Sequence, residues 1–86
     1  MPEICRFYGI VIAMFYDDHN PPHFHARYGS QKASLKIADC GILDGYLPPR
    51  ALSLVIEWAR QHQEELLNDW NAAKNDKPLS PIQPLI

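Results

Sequence analysis

Chemistry-capable side chains crowd into one segment, Asp17-Asp18-His19-Asn20-Pro21-Pro22-His23-Phe24-His25, which holds three of the four histidines of the chain. On a β-strand, His23 and His25 point to the same side with Cα atoms ~6.5–7 Å apart. Two imidazoles at that spacing can grip one cation, with His19 or Asp18 from the preceding loop completing the set. The metal candidates are therefore His19, His23 and His25. No glutamate stands close in sequence as a general base for zinc-bound water. Histidine serves equally as an acid–base group or an anion binder near neutral pH. A plainer reading makes these rings partly exposed polar residues beside a Pro-Pro turn.

A second candidate is a basic strip. The segment His23–Tyr28 alternates polar and apolar residues, and so does Gln31-Lys32-Ala33-Ser34-Leu35-Lys36-Ile37-Ala38. Gly29-Ser30 between them suits a two-residue type II′ hairpin turn. The implied register pairs Tyr28 with Gln31, Arg27 with Lys32, Ala26 with Ala33, His25 with Ser34, Phe24 with Leu35 and His23 with Lys36. One face then collects His23, His25, Arg27, Lys32, Ser34 and Lys36. Arg27 opposite Lys32 is a like-charge pair, which destabilises a bare hairpin. An anionic partner such as RNA phosphate would offset it, as would carboxylates such as Asp17 or Asp18. A histidine pair beside Arg and Lys has the general acid–base equipment of a metal-independent ribonuclease. On that reading His23, His25 and Arg27 are the catalytic candidates, and Asp18, His19, Lys32 and Lys36 assist binding.

Stepping outward to the supporting elements, Ile10–Tyr16 is β-branched and aromatic on both parities and reads as a central strand buried on both faces. Arg6-Phe7-Tyr8 precedes it as a short strand broken at Gly9. Asp39-Cys40-Gly41 fits a three-residue hairpin loop with Gly41 in the left-handed position, leaving Cys40 exposed. Ile42–Gly45 returns with Leu43 facing Ile37 and Asp44 facing Lys36. One long helix, Pro48–Ala73, follows. Proline is tolerated in its first turn, and Ala51, Val55, Trp58, Ala59, His62, Leu66 and Trp70 form its apolar face. In the tail, Leu79, Ile82 and Leu85 each follow a proline at every third position. In polyproline II geometry they share one face, a stripe expected to dock in a groove of this chain or of a partner.

The chain has 86 residues, 47% of them hydrophobic and 21% charged, with a net charge of −2. That length suits one domain and excludes two-domain enzymes and transporters. Its core is small, and stability on the order of 4–13 kcal/mol is expected. The slight acidity argues against wholesale attraction to nucleic acid or membrane. No apolar run reaches the ~20 residues of a membrane helix, and no secretory signal opens the chain. Cys5 and Cys40 form no paired motif, so a reduced, cytoplasmic protein is the default expectation.

The run Arg6-Phe7-Tyr8-Gly9-Ile10, then Met14-Phe15-Tyr16, then Asp18-His19-Asn20-Pro21-Pro22-His23-Phe24-His25-Ala26 closely resembles a family of small bacterial proteins, domain of unknown function 4160. Tyr28-Gly29, Gly41-Ile42-Leu43, Gly45, Leu47-Pro48, Glu57-Trp58, Glu65-Leu66 and Trp70 continue the resemblance to about Ala73. It implies a neighbouring small protein of the domain of unknown function 2442 type, the two forming a toxin–antitoxin pair with this member as toxin. It also implies, for some relatives, a role in transcriptional regulation. It assigns no residue a catalytic role.

The combined expectation is an α+β domain over residues 1–75, with a three- to four-stranded antiparallel sheet packed on one long C-terminal helix, and an extended Pro-rich tail over residues 76–86. The leading function is a toxin-like component neutralised by a small cognate protein and acting on RNA through the His/basic surface. The alternatives are a non-catalytic binding module or a His-based metal-binding protein. No other cofactor is assigned, and the residues leave open whether the chain is an enzyme. Because one helix covers one face of a sheet, either Val11, Ala13 and Phe15 or the opposite set of that strand must be covered by the tail, a second copy in a homo-oligomer, or a partner.

Overall fold

The computed structural model of the chain describes residues 2–86. Five strands run in sequence order as an antiparallel meander: β1 (Glu3–Phe7), β2 (Ile10–Ala13), β3 (His23–Tyr28), β4 (Gln31–Lys36) and β5 (Ile42–Gly45). Two helices follow, α1 (Pro49–Gln61) and α2 (Gln63–Lys74). The α+β class with an antiparallel sheet against helices therefore holds, with more strands and one more helix than the sequence pattern implied.

The short strand read at Arg6-Phe7-Tyr8 is β1, which begins earlier, at Glu3, and pairs fully with β2. Tyr8 and Gly9 both take positive φ, 49° and 80°. That is the left-handed pair of a mirror-image hairpin turn, whose twist suits flanking strands. The residues read as a strand break are thus a turn between two paired strands. The strand read as Ile10–Tyr16 ends at Ala13, and Met14-Phe15-Tyr16 begin the loop to β3.

β3 and β4 pair in the register read from the sequence at all six positions, from His23 with Lys36 to Tyr28 with Gln31. Gly29 takes positive φ while Ser30 does not, consistent with a type II′ turn. β5 differs from expectation. Leu35 pairs with Ile42 and Ser34 with Asp44 across a bulge, in place of Ile37 with Leu43 and Lys36 with Asp44. The connection is longer than three residues because the Gly41 carbonyl accepts from Lys36 and the Cys40 N–H donates to the Lys36 carbonyl. Cys40, not Gly41, takes the left-handed conformation, and its side chain is buried in the core. Burial pushes the Cys40 thiol pKa up, away from the reactive thiolate.

The core lies between one sheet face and the helices. Ile10, Ile12, Met14, Phe24 and Leu35 meet Leu47, Val55, Trp58 and Leu66, all essentially fully buried. The Trp58 ring sits 5.5 Å from Phe7 and 6.0 Å from Phe24.

The helix breaks at His62, which has φ −130° and ψ 25°. No glycine or proline marks the break. One long-range and one local set of bonds hold it. The Gln63 amide donates to the Ile37 and Ala38 carbonyls at 2.9 and 3.0 Å, and His62 Nδ1 donates to Glu65 at 2.6 Å. Beyond the break, Leu66 and Trp70 are buried in the core, and the Trp70 ring reaches His23.

The tail docks on its own chain. Ile82 and Leu85 are buried, the Ile82 N–H donates to the Ile4 carbonyl, and Trp58 Nε1 donates to the Gln83 carbonyl at 2.8 Å. The Ser80 N–H donates to Asp69 Oδ1 at 2.8 Å, while Asp69 Oδ2 is buried with no partner. Burial pushes the Asp69 pKa up, opposed by the Ser80 N–H and reinforced by Glu65. These tail contacts lie on the helix side, yet Val11 and Ala13 are buried within the single chain and Phe15 is half-buried, so the expected cover by the tail, a second copy or a partner is not needed to bury the first two.

Candidate functional site

The loop between β2 and β3 folds its own carboxylate over the two strand histidines. Alternation on β3 sends Phe24 and Ala26 into the core, so His23, His25 and Arg27 must share the opposite face. A cis Asn20–Pro21 peptide lies in the turn that brings Asp18 back above them. Asp18 Oδ2 stands 2.8 Å from His25 Nε2 and 3.3 Å from His23 Nε2. The donor atoms of Asp18, His23 and His25 all lie within 4.8 Å of one another.

The outer contacts orient this cluster. His23 Nδ1 donates to the Pro21 carbonyl at 2.8 Å. A carbonyl only accepts, so that nitrogen carries the proton and Nε2 is the one turned to Asp18. In a neutral His23 ring, the Nε2 lone pair and a carboxylate oxygen then face each other, and only a proton or a cation between them makes the contact favourable. The Trp70 ring packs on His23 at 5.3 Å, and Phe15 meets His25 edge-on at 4.5 Å. Lys74 Nζ donates to the Asp18 carbonyl at 2.8 Å while lying over the Trp70 ring. Both imidazoles and the carboxylate are partly buried, which reduces competition from water.

Of the sequence candidates, the structure brings together His23, His25 and Asp18. His19 lies outside: it is exposed, and its ring is absent from the cluster. Of the two loop residues offered to complete the set, the loop turns Asp18 inward and leaves His19 facing water. Lys36 keeps its place on that face opposite His23, and its Nζ pairs with Asp39 at 3.3 Å across the β4–β5 turn. Asp18 is engaged with the imidazoles, so it does not neutralise the Arg27–Lys32 pair. Trp70, Lys74, Phe15 and the Pro21 carbonyl join the site without a signal in the sequence that marks them as its components. The helical spacing of Trp70 marked it as buried, but nothing in sequence told which ring it would cover.

Beyond the cluster, the open sheet face forms a cleft of about 370 Å³. Its lining includes Val11, Ala13 and Phe15 as an apolar floor, with His25, Arg27, Lys32, Ser34 and Asp44 around it. Neighbouring cations on this face are already paired. Arg6 holds Glu3 at 2.8 Å, and that hydrogen bond keeps the Glu3 pKa below its ordinary value, with a smaller pull from Arg27.

A family model described as Domain of unknown function (DUF4160) matches residues 9–71. The chain belongs to this family. The matched region contains Asp18, His23, His25, Arg27, Lys32 and Trp70, whereas β1, Lys74 and the docked tail lie wholly or largely outside it. No curated protein and no solved structure matches the chain. No helix among the described residues is long and apolar enough to cross a membrane.

Proposed function

We propose that the protein binds a divalent first-row transition metal ion, such as zinc, through His23 Nε2, His25 Nε2 and a carboxylate oxygen of Asp18. The observation that carries this reading is the Pro21 carbonyl on His23 Nδ1. A metal-bound imidazole characteristically gives its other N–H to a carbonyl or carboxylate, which fixes the tautomer and the ring plane. Two nitrogens and one oxygen suit zinc or iron better than calcium or magnesium, which prefer all-oxygen shells. Tetrahedral ligand atoms stand ~3.3 Å apart around bonds of about 2.0–2.2 Å. The Asp18–His contacts of 2.8 and 3.3 Å need only small adjustments to reach that.

Three protein ligands leave a position open, the mark of a catalytic rather than a structural site. A bound ion would supply Lewis acidity and a water acidified toward neutral pH. The chain's own contribution is orientation: Pro21 and Trp70 hold His23, Phe15 holds His25, and Lys74 ties down the Asp18 loop. Elemental analysis of tag-free protein tests the reading. A stoichiometric metal in the wild type, lost from His23→Ala and His25→Ala while both keep their fold, supports it. Substoichiometric metal after equilibration with zinc, iron and manganese in turn would end it.

The toxin-like role implied by the resemblance is a second reading, favoured by the β5 edge. Ile42 and Leu43 on that edge strand and Tyr46 just beyond it are exposed. An open apolar edge is suited to a partner strand, as neutralisation by a small cognate protein requires. Growth arrest on expression, relieved by co-expressing the neighbouring small protein, supports this role. Normal growth at high expression without that partner counts against it.

A further inference from the structure

The cleft beside the histidine cluster is lined by two cations that make no ion pair among the described residues, with Glu3 and Asp44 nearby but not bonded to either. Arg27 and Lys32 sit directly opposite on β3 and β4, with Cβ atoms ~4.5–5.5 Å apart. Like charges at that spacing oppose strand pairing. Arg6 has Glu3 and Lys36 has Asp39, yet among the described residues neither Arg27 nor Lys32 makes an ion pair. These two cations line the cleft, above the apolar floor of Val11, Ala13 and Phe15.

The register places a second row beside them. Ala13, His25, Ser34 and Asp44 are successive partners across β2 to β5, and Val11, Arg27 and Lys32 form the adjacent row. Adjacent rows on one face are ~6.5–7 Å apart. An anion held by Arg27 and Lys32 would therefore place the far end of a short molecule at His25.

We infer that this cleft binds a small organic anion, with one phosphate or carboxylate group on Arg27 and Lys32 and a compact apolar body over Val11, Ala13 and Phe15, reaching toward His25. The volume of about 370 Å³ falls in the small-molecule range. Asp44 closes one end of the His25 row and Glu3 continues it on β1. Further negative charges of a polyanion would meet those carboxylates, so a single anionic head fits better than a nucleic-acid strand. The inference names a substrate class for the proposed metal site and rests on that reading only for what happens at His25; the anion grip itself needs no metal.

Phenyl phosphate, a phosphate on a flat apolar ring, is the probe. Calorimetric titration into chelator-treated full-length protein should show saturable binding. Arg27→Gln and Lys32→Gln should each weaken it roughly tenfold or more, the usual weight of a hydrogen bond to a charged group, while retaining the metal content of the wild type. Lys36→Gln, outside the cleft and paired elsewhere, should leave binding unchanged. Inorganic phosphate, lacking the ring, should bind more weakly. Circular dichroism melting separates lost grip from lost fold, and Arg27→Lys, which keeps a cation, should retain part of the affinity in a folded chain. Absence of phenyl phosphate binding, or binding indifferent to both Gln variants, overturns the inference. A short oligoribonucleotide that binds more tightly, with affinity rising with its phosphate count, replaces it with a polyanion site. Metal content is measured separately, so a protein that binds phenyl phosphate but no metal sinks only the metal reading.

Discussion

The β3–β4 hairpin has two faces built from the same twelve residues, and they do opposite work. One face presents Phe24, Ala26, Ala33 and Leu35, all buried against Trp58 and its neighbours. The other presents His23, His25, Arg27, Lys32 and Ser34, each left at least partly exposed. Strand alternation separates the two sets completely, so side chains with a desolvation cost are kept off the core while sharing its rigidity. Stability and chemistry should therefore be separable here by mutation, residue by residue along one strand.

The largest expected effect is on the core face. Phe24→Ala should cost about 3–5 kcal/mol, a large share of the stability of a chain this size. Chemical denaturation checks it, and a loss below 1 kcal/mol would break the distinction. Gly45→Ala should come next, at roughly 1–3 kcal/mol. Gly45 has φ +86°, and a Cβ there would overlap the Lys32 carbonyl and Ala33 Cα, so β5 must separate from β4. Amide exchange localised to β4 and β5 would show this.

On the open face, His25→Ala should move stability by at most about 1 kcal/mol. Metal affinity should nevertheless fall further than the ~10–100-fold typical of losing an outer-shell partner. Equal losses of stability and metal would mean the histidines are structural.

A contrast between carboxylates sharpens the comparison. Asp18 on the open face has two imidazoles, whereas Asp69 on the core side has one N–H and an unpartnered oxygen. Burial raises the Asp69 pKa from its ordinary 3.8. The folded chain thus keeps this proton over a range in which the unfolded chain has released it. The contribution is fully present below 3.8 and lost as pH rises through the elevated value. Asp69→Asn keeps an acceptor for Ser80 without the buried charge. It should be as stable as the wild type or more so at pH 7, with a flatter stability profile above the ordinary Asp range. A less stable Asn variant at pH 7 would contradict this. The smallest effect is expected for Lys36→Ala, whose solvent-screened pair with Asp39 should leave the denaturation midpoint almost unmoved.

What could be read from the sequence was local in origin. The β3–β4 register follows from period-two alternation meeting a two-residue Gly-Ser turn, and that suffices to put His23, His25, Arg27 and Lys32 together. The apolar face was visible in the spacing of Val55, Trp58, Leu66 and Trp70, although it was read along one helix and not two. The tail stripe was visible in the prolines, although the groove that receives it was not. The β5 register and the burial of Cys40 were missed because a bulge and a left-handed Cys40 are not required by any residue type in that turn.

The His-x-Pro-Pro-His-Phe-His pattern and the alternation around it settled by themselves that two imidazoles and two cations share one side of a ribbon, because side-chain direction on a strand depends only on parity. Tertiary structure alone decided that Asp18 rather than His19 joins them, and that Trp70 and Lys74 lock the loop. It also decided that the helix breaks at His62 and that the Trp70 ring packs on His23. Those choices depend on contacts between residues distant in sequence, where the path of a loop and the angle of a helix, not residue type, determine which groups meet.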